Sequence, residues 1–116
     1  MVLQSGWGNR TDRRVKNIEI STSVGENSPP AGKYLVEEKF GRNAFDEKQA
    51  QRYSSFLQNN GKVRTLDGKE YSGIIYFFDK QEAAVKARDK MQGLSANIYI
   101  GFYGNSGNLI WLERSN

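Results

Sequence analysis

Several short stretches of the chain alternate apolar and polar side chains, and two longer ones space their apolar residues at helical intervals. Val15–Ile20 sets Ile18 and Ile20 on one face and Asn17 and Glu19 on the other, which predicts a strand. Residues 21–32 hold Gly, Asn, Ser and a Pro-Pro pair that cannot continue a ladder, so they form a loop. Lys33–Phe40 resumes as a second strand, and the two most simply make a hairpin with a long connection. A helix is predicted from Asp46 to about Gln58. Asp46 and Gln49 have capping-box spacing, Phe45 can staple onto Ala50, and Ala50, Tyr53 and Leu57 share a face widened by Phe56. Asn59-Asn60-Gly61 ends it. Asp67-Gly68 predicts a tight turn between Lys62–Leu66 and a strand starting near Glu70.

Ser72–Phe78 is too apolar for simple alternation and predicts a central strand covered on both faces. A second helix comes next, with Asp79 and Glu82 as its expected capping box, Gly93 as its stop, and a thin stripe of Ala84, Ala87 or Arg88, and Met91. Asn97–Tyr103 and Leu109–Leu112 close the chain as a hairpin. This order implies a single α+β (or α/β) domain over 1–116, one mixed β-sheet flanked by two helices, with 1–11 as an irregular lead-in. The 116-residue length fits one core.

Composition removes chemistry. The chain has no cysteine and no histidine, which excludes disulfides, thiolate metal sites, cysteine nucleophiles and every histidine-based triad. Catalysis must rest on Asp, Glu, Lys, Arg, Tyr, Ser or Thr. A net charge of +4 suits a phosphate-rich or acidic partner without requiring one. The longest apolar run, Gly73–Phe78, is far too short to span a membrane, and the start of the chain has no signal-peptide pattern.

The second strand carries unusual charge. Leu35, Glu37 and Lys39 point one way, and Val36, Glu38 and Phe40 the other. A hairpin registered about Ser28 would set Glu19 opposite Glu37 and Ile20 opposite Val36, with Glu37 and Lys39 on the sheet face away from the main core. Two facing carboxylates repel unless a cation lies between them. Oxygen ligands with water suit Mg²⁺, and a neighbouring lysine can orient a water. The plain alternative is an edge hairpin whose Glu37, Glu38 and Lys39 face solvent. Arg10, Arg13, Arg14 and Arg42 could hold phosphates or form a solvated face. Trp7, Trp111, Tyr99, Phe102 and Tyr103 are read as core before base-stacking surfaces, and Tyr34 and Tyr53 as core or rim.

Tyr34-Leu35-Val36-Glu37-Glu38-Lys39, then Gly41-Arg42 and a capped helix bearing Gln49 and Tyr53, resembles the (D/E)-x-K strand and following helix of the PD-(D/E)xK nuclease superfamily. More closely, it is similar to the restriction-endonuclease-like toxin domains of bacterial polymorphic and contact-dependent toxins. The resemblance covers about residues 12–60. It implies Glu37 as a metal-binding acid, Lys39 as the lysine that positions water, and Gln49 as the helix glutamine beside the site. The superfamily's acid on the preceding strand has Lys16-Asn17 in its place here, which leaves Glu19 or Asp12 as second ligand. The activity implied by the resemblance is metal-dependent phosphodiester hydrolysis of RNA or DNA with Mg²⁺ or Mn²⁺. The chain would act in the cytoplasm after delivery as the C-terminal part of a secreted protein, and an acidic immunity protein would neutralise it. Rival expectations are a non-catalytic binding module such as an immunity or adaptor protein, a metal-independent ribonuclease toxin, and a nucleic-acid binder without activity.

Overall fold

A computed structural model describes residues 16–23, 25–41 and 45–114. Among these, β1 (Lys16–Ile20), β2 (Gly32–Lys39), β5 (Gly73–Phe78), β6 (Ile98–Tyr103) and β7 (Leu109–Leu112) form one five-stranded mixed sheet in the order β1-β2-β5-β6-β7. β2, β5 and β6 run parallel, and β1 and β7 pair antiparallel at the two edges. Helix α1 (Glu47–Asn60) connects toward β5 through a small ladder of β3 (Val63–Arg64) and β4 (Glu70–Tyr71), and α2 (Gln81–Lys90) connects β5 to β6. The fold is therefore α+β, with one mixed sheet and two helices, as the hydrophobic pattern implies.

Parallel neighbours need crossovers, and two successive crossovers of the same hand, stepping in the same direction, put their helices on the same face. The core agrees. Leu35 of β2, Ile74, Tyr76 and Phe78 of β5 and Ile98, Ile100 and Phe102 of β6 pack with Ala50, Tyr53 and Leu57 of α1 and Ala84 and Ala87 of α2. The opposite face gathers Tyr34, Ile75 and Phe77, with Val36, Phe40, Tyr99 and Trp111 against them. Every residue of β5 is buried, because the strand is central and covered on both sides. The thin stripe of α2 suffices because Ala84 and Ala87 let the helix lie close to the sheet.

Local sequence accounts for the boundaries. Asp46 caps α1 by accepting from the Gln49 N–H at 3.1 Å, and Gly61 closes the helix at φ 71°, donating to the Leu57 carbonyl at 2.7 Å. The expected cap of α2 is corrected. Asp79 accepts instead from the Gly41 N–H at 3.0 Å, tying the exit of β5 to the exit of β2, and Lys80 occupies the cap position without a side-chain bond. At Gly73 a Cβ would stand 2.2 Å from the Asn97 carbonyl oxygen, so the start of β5 touches the approach to β6 backbone to backbone. Arg114 donates to the carbonyls of Met91, Leu94, Ser95 and Ile98, fastening the chain end to the turn after α2.

The hairpin register also differs from expectation. Lys16 pairs with Val36 and Glu19 with Lys33, where symmetry about Ser28 would have set Glu19 against Glu37. The loop is not symmetric: Asn27 adopts φ 66°, and Tyr34 donates to the Pro30 carbonyl at 2.7 Å, folding the Pro-Pro segment back on β2.

Candidate functional site

Alternation along β2 sends Leu35, Glu37 and Lys39 to the same side, and that side is the one α1 and α2 cover. The expectation that Glu37 and Lys39 face away from the main core is thus overturned, because a parallel β2 with both crossover helices on one face leaves the odd-numbered residues beneath them. Leu35 continues the core. Two positions on, Glu37 reaches the margin of α1, and Lys39 lies at the strand's end. Their side chains keep only 18% and 13% exposure, with Lys39 Nζ 3.8 Å from Glu37 Oε1.

The parallel register sets Glu37 beside Tyr76 and Lys39 beside Phe78. Tyr53, on the buried face of α1, donates its hydroxyl to Glu37 Oε2 at 2.8 Å. Gln49, one turn earlier on that face, accepts from the Tyr76 hydroxyl at 3.1 Å. Glu37, Lys39, Gln49, Tyr53 and Tyr76 therefore meet where the C-terminal half of β2 passes under the start of α1. Burial pushes the Tyr76 phenol well above its ordinary range, and the negative charges of Glu37 and then Asp46 push the same way. Tyr76 therefore stays protonated at neutral pH and remains a donor toward Gln49.

No family model, curated protein or solved structure matches the chain. The site stands on its geometry. Three residues singled out in the sequence, Glu37, Lys39 and Gln49, are brought together. Glu19 is not: it lies opposite Lys33, four positions back along β2 and so about 13 Å from Glu37. It lines a separate surface groove with Lys33, Lys69 and Glu70. Asp12, Arg10, Arg13, Arg14 and Arg42 lie outside the described residues. Glu38 points to the other sheet face and pairs with Lys16. Trp111 and Tyr99 pack on that other face, and Phe102 on the helix-covered one, as core side chains.

The sequence pattern alone does not single out Tyr53 and Tyr76 as functional residues. A signal for Tyr53 exists, since it follows Gln49 by four positions on one helix face. Tyr76 requires the β2–β5 register, which no local pattern supplies.

Mg²⁺ takes one or two carboxylates and fills its remaining positions with water and phosphate oxygen. Glu37 meets the minimum of that donor set, for its Oε1 sits beyond hydrogen-bond distance of Lys39 and keeps lone pairs for a further partner. No group of three acidic side chains that could hold a metal gathers among the described residues.

Proposed function

We propose that the chain hydrolyses phosphodiester bonds in nucleic acid at the Glu37–Lys39–Gln49 cluster, with Mg²⁺ or Mn²⁺. One observation carries this reading. An acid, a lysine and a glutamine converge in a partly buried place on the helix-covered face of the sheet, where apolar residues would serve stability as well or better. A carboxylate–ammonium pair held there by Tyr53 has a fixed geometry and low exposure, which suits work on a charged substrate. The reading also draws on the resemblance carried by Glu37, Lys39 and Gln49.

In this reading Glu37 Oε1 is the protein's ligand to the ion, and Tyr53 holds the other carboxylate oxygen so that the group cannot rotate. Lys39 orients the attacking water and offsets charge on the phosphate. Gln49 is fixed through its carbonyl by Tyr76 beside the carboxylate. When bound, the divalent cation supplies charge neutralisation at the phosphate oxygens. Such an activity endangers its producer, so an acidic inhibitor that covers the basic residues around the site completes the proposal.

The test incubates purified protein with DNA, total RNA and tRNA in Mg²⁺ or Mn²⁺, with and without EDTA. Glu37→Gln keeps the shape of the side chain and stops cleavage by removing the charge that would hold the ion. Lys39→Ala slows cleavage while metal binding persists. Wild-type rates in Glu37→Gln would overturn the mechanism, and cleavage that survives EDTA would assign the site to metal-independent ribonuclease chemistry.

A further inference from the structure

Beside the cluster, an open groove of about 370 Å³ runs from Lys39 along the exposed flank of α2. Its walls carry four lysines, Lys39, Lys80, Lys86 and Lys90. Two acids share it, Glu82 and Asp79, whose carboxylate accepts from the Gly41 N–H, so lysines outnumber acids four to two. Among the described residues Lys80, Lys86 and Lys90 form no ion pair, as is also true of Lys33 and Lys48, whereas Lys16, Lys62 and Lys69 each have a carboxylate partner. Lys86 and Lys90 stand one helical turn apart on one face, a rise of about 6 Å. Like charges at that spacing cost helix stability. The groove also lies at the C-terminal ends of the parallel strands β2 and β5.

We propose that this groove seats the sugar-phosphate backbone of the nucleic-acid substrate, with Lys80, Lys86 and Lys90 carrying successive phosphates away from the bond held at Glu37 and Lys39. The idea rests on the nuclease reading and adds to it the path of the strand. Unpaired lysines in a row match a polyanion with regularly spaced charge, and the groove opens directly onto Lys39, so a strand lying in it arrives at the carboxylate. Phe45, partly buried, also lines the groove and adds apolar surface to it.

The experiment measures binding of a fluorescent single-stranded oligonucleotide by anisotropy across a salt series, in a Glu37→Gln background so that the probe survives. A Glu37→Ala background serves as the second inactive form. Into each goes the triple change Lys80→Gln, Lys86→Gln and Lys90→Gln, at exposed positions where folding is little affected. The control triple, Lys33→Gln, Lys62→Gln and Lys69→Gln, removes the same charge around the groove that holds Glu19. Each phosphate contact to a single strand contributes about 0.7 to the slope of log K against log salt, so the groove triple should lower the slope by about 2. The control should change it by much less. Equal slopes in the two triples would overturn the groove and leave the nuclease reading standing. A groove triple that keeps its oligonucleotide affinity but loses binding to polyglutamate would also overturn it, by assigning the surface to an acidic protein. Undiminished cleavage by Glu37→Gln would sink the nuclease reading and not the slope result.

Discussion

Tyr53→Phe removes a single oxygen from the site and leaves the ring that packs in the core. Tyr53 is 1% exposed, and its hydroxyl donates to Glu37 Oε2 at 2.8 Å, so the change removes that hydrogen bond to a carboxylate while keeping the ring. Hydrogen bonds to charged partners contribute about 1.5–3 kcal/mol. Because the Glu37 side chain keeps 18% exposure, water can replace part of the lost bond, which places the expected loss at the lower end, about 1.5 kcal/mol. For a domain of this size, about 4 °C accompanies each kcal/mol, so the melting temperature should fall by about 6 °C. A double-mutant cycle with Glu37→Gln should return a coupling of at least about 1 kcal/mol between the two side chains. On a nucleic-acid substrate kcat should drop while KM holds, since the carboxylate loses its brace and the lysine-lined groove is untouched. A melting temperature within about 1 °C of wild type, together with an unchanged kcat, would refute the claim that Tyr53 positions Glu37.

Other outcomes rest on the same packing. Ser54→Ala removes the acceptor of the buried Ser95 N–H, 2.8 Å away, and should cost about 1–3 kcal/mol in denaturant melts because that donor is left unpaired. Arg114→Ala should cost at least about 1.5–3 kcal/mol and lower hydrogen-exchange protection in the turn after α2, with Arg114→Lys recovering less than half because an ammonium lacks the planar fork. Burial, with Tyr99 adding to it, pushes the Tyr34 phenol from 10.0 up to about 12. The folded state therefore favours the neutral phenol: stability is full below pH 10.0 and is lost as pH rises toward about 12, which tyrosinate absorbance with circular dichroism will follow. Tyr34→Phe should flatten that loss.

Periodicity makes the elements legible. Ala50, Tyr53 and Leu57 announce α1, the unbroken run to Phe78 announces a strand buried on both sides, and Asp46 and Gly61 mark the helix ends correctly. Glu37 and Lys39 are legible as a pair because acid and lysine sit two apart on a strand, whereas Gln49 joins them only through the family resemblance. Register is not legible. The long β1–β2 loop contains Asn27 with positive φ and a Pro-Pro segment held by Tyr34, and neither can be counted from a midpoint, so symmetry points Glu19 at Glu37 when it faces Lys33. Which face the helices cover is also hidden, since it depends on the parallel pairing of β2 with β5 and not on β2 itself. Asp79 misleads for a related reason. Its spacing to Glu82 is that of a cap, but the nearby end of β2 offers the Gly41 N–H, and a tertiary partner wins over a local one.

The contact at Gly73 bears on how a diverged relative of this chain would be recognised. A methyl group there would overlap the Asn97 carbonyl oxygen, and backbone on backbone leaves no rotamer to move aside. Drift can therefore rewrite the surface of α2, the edge strands and even the identity of the core aliphatics, yet this position admits no side chain unless β5 and β6 shift together. A glycine opening a run of about six apolar residues, some thirty-odd positions after an acid-x-lysine strand, is thus a signature written by steric exclusion rather than by chemistry. It would persist in lineages that had replaced Glu37 and Lys39, and so would mark shared ancestry where those side chains could not.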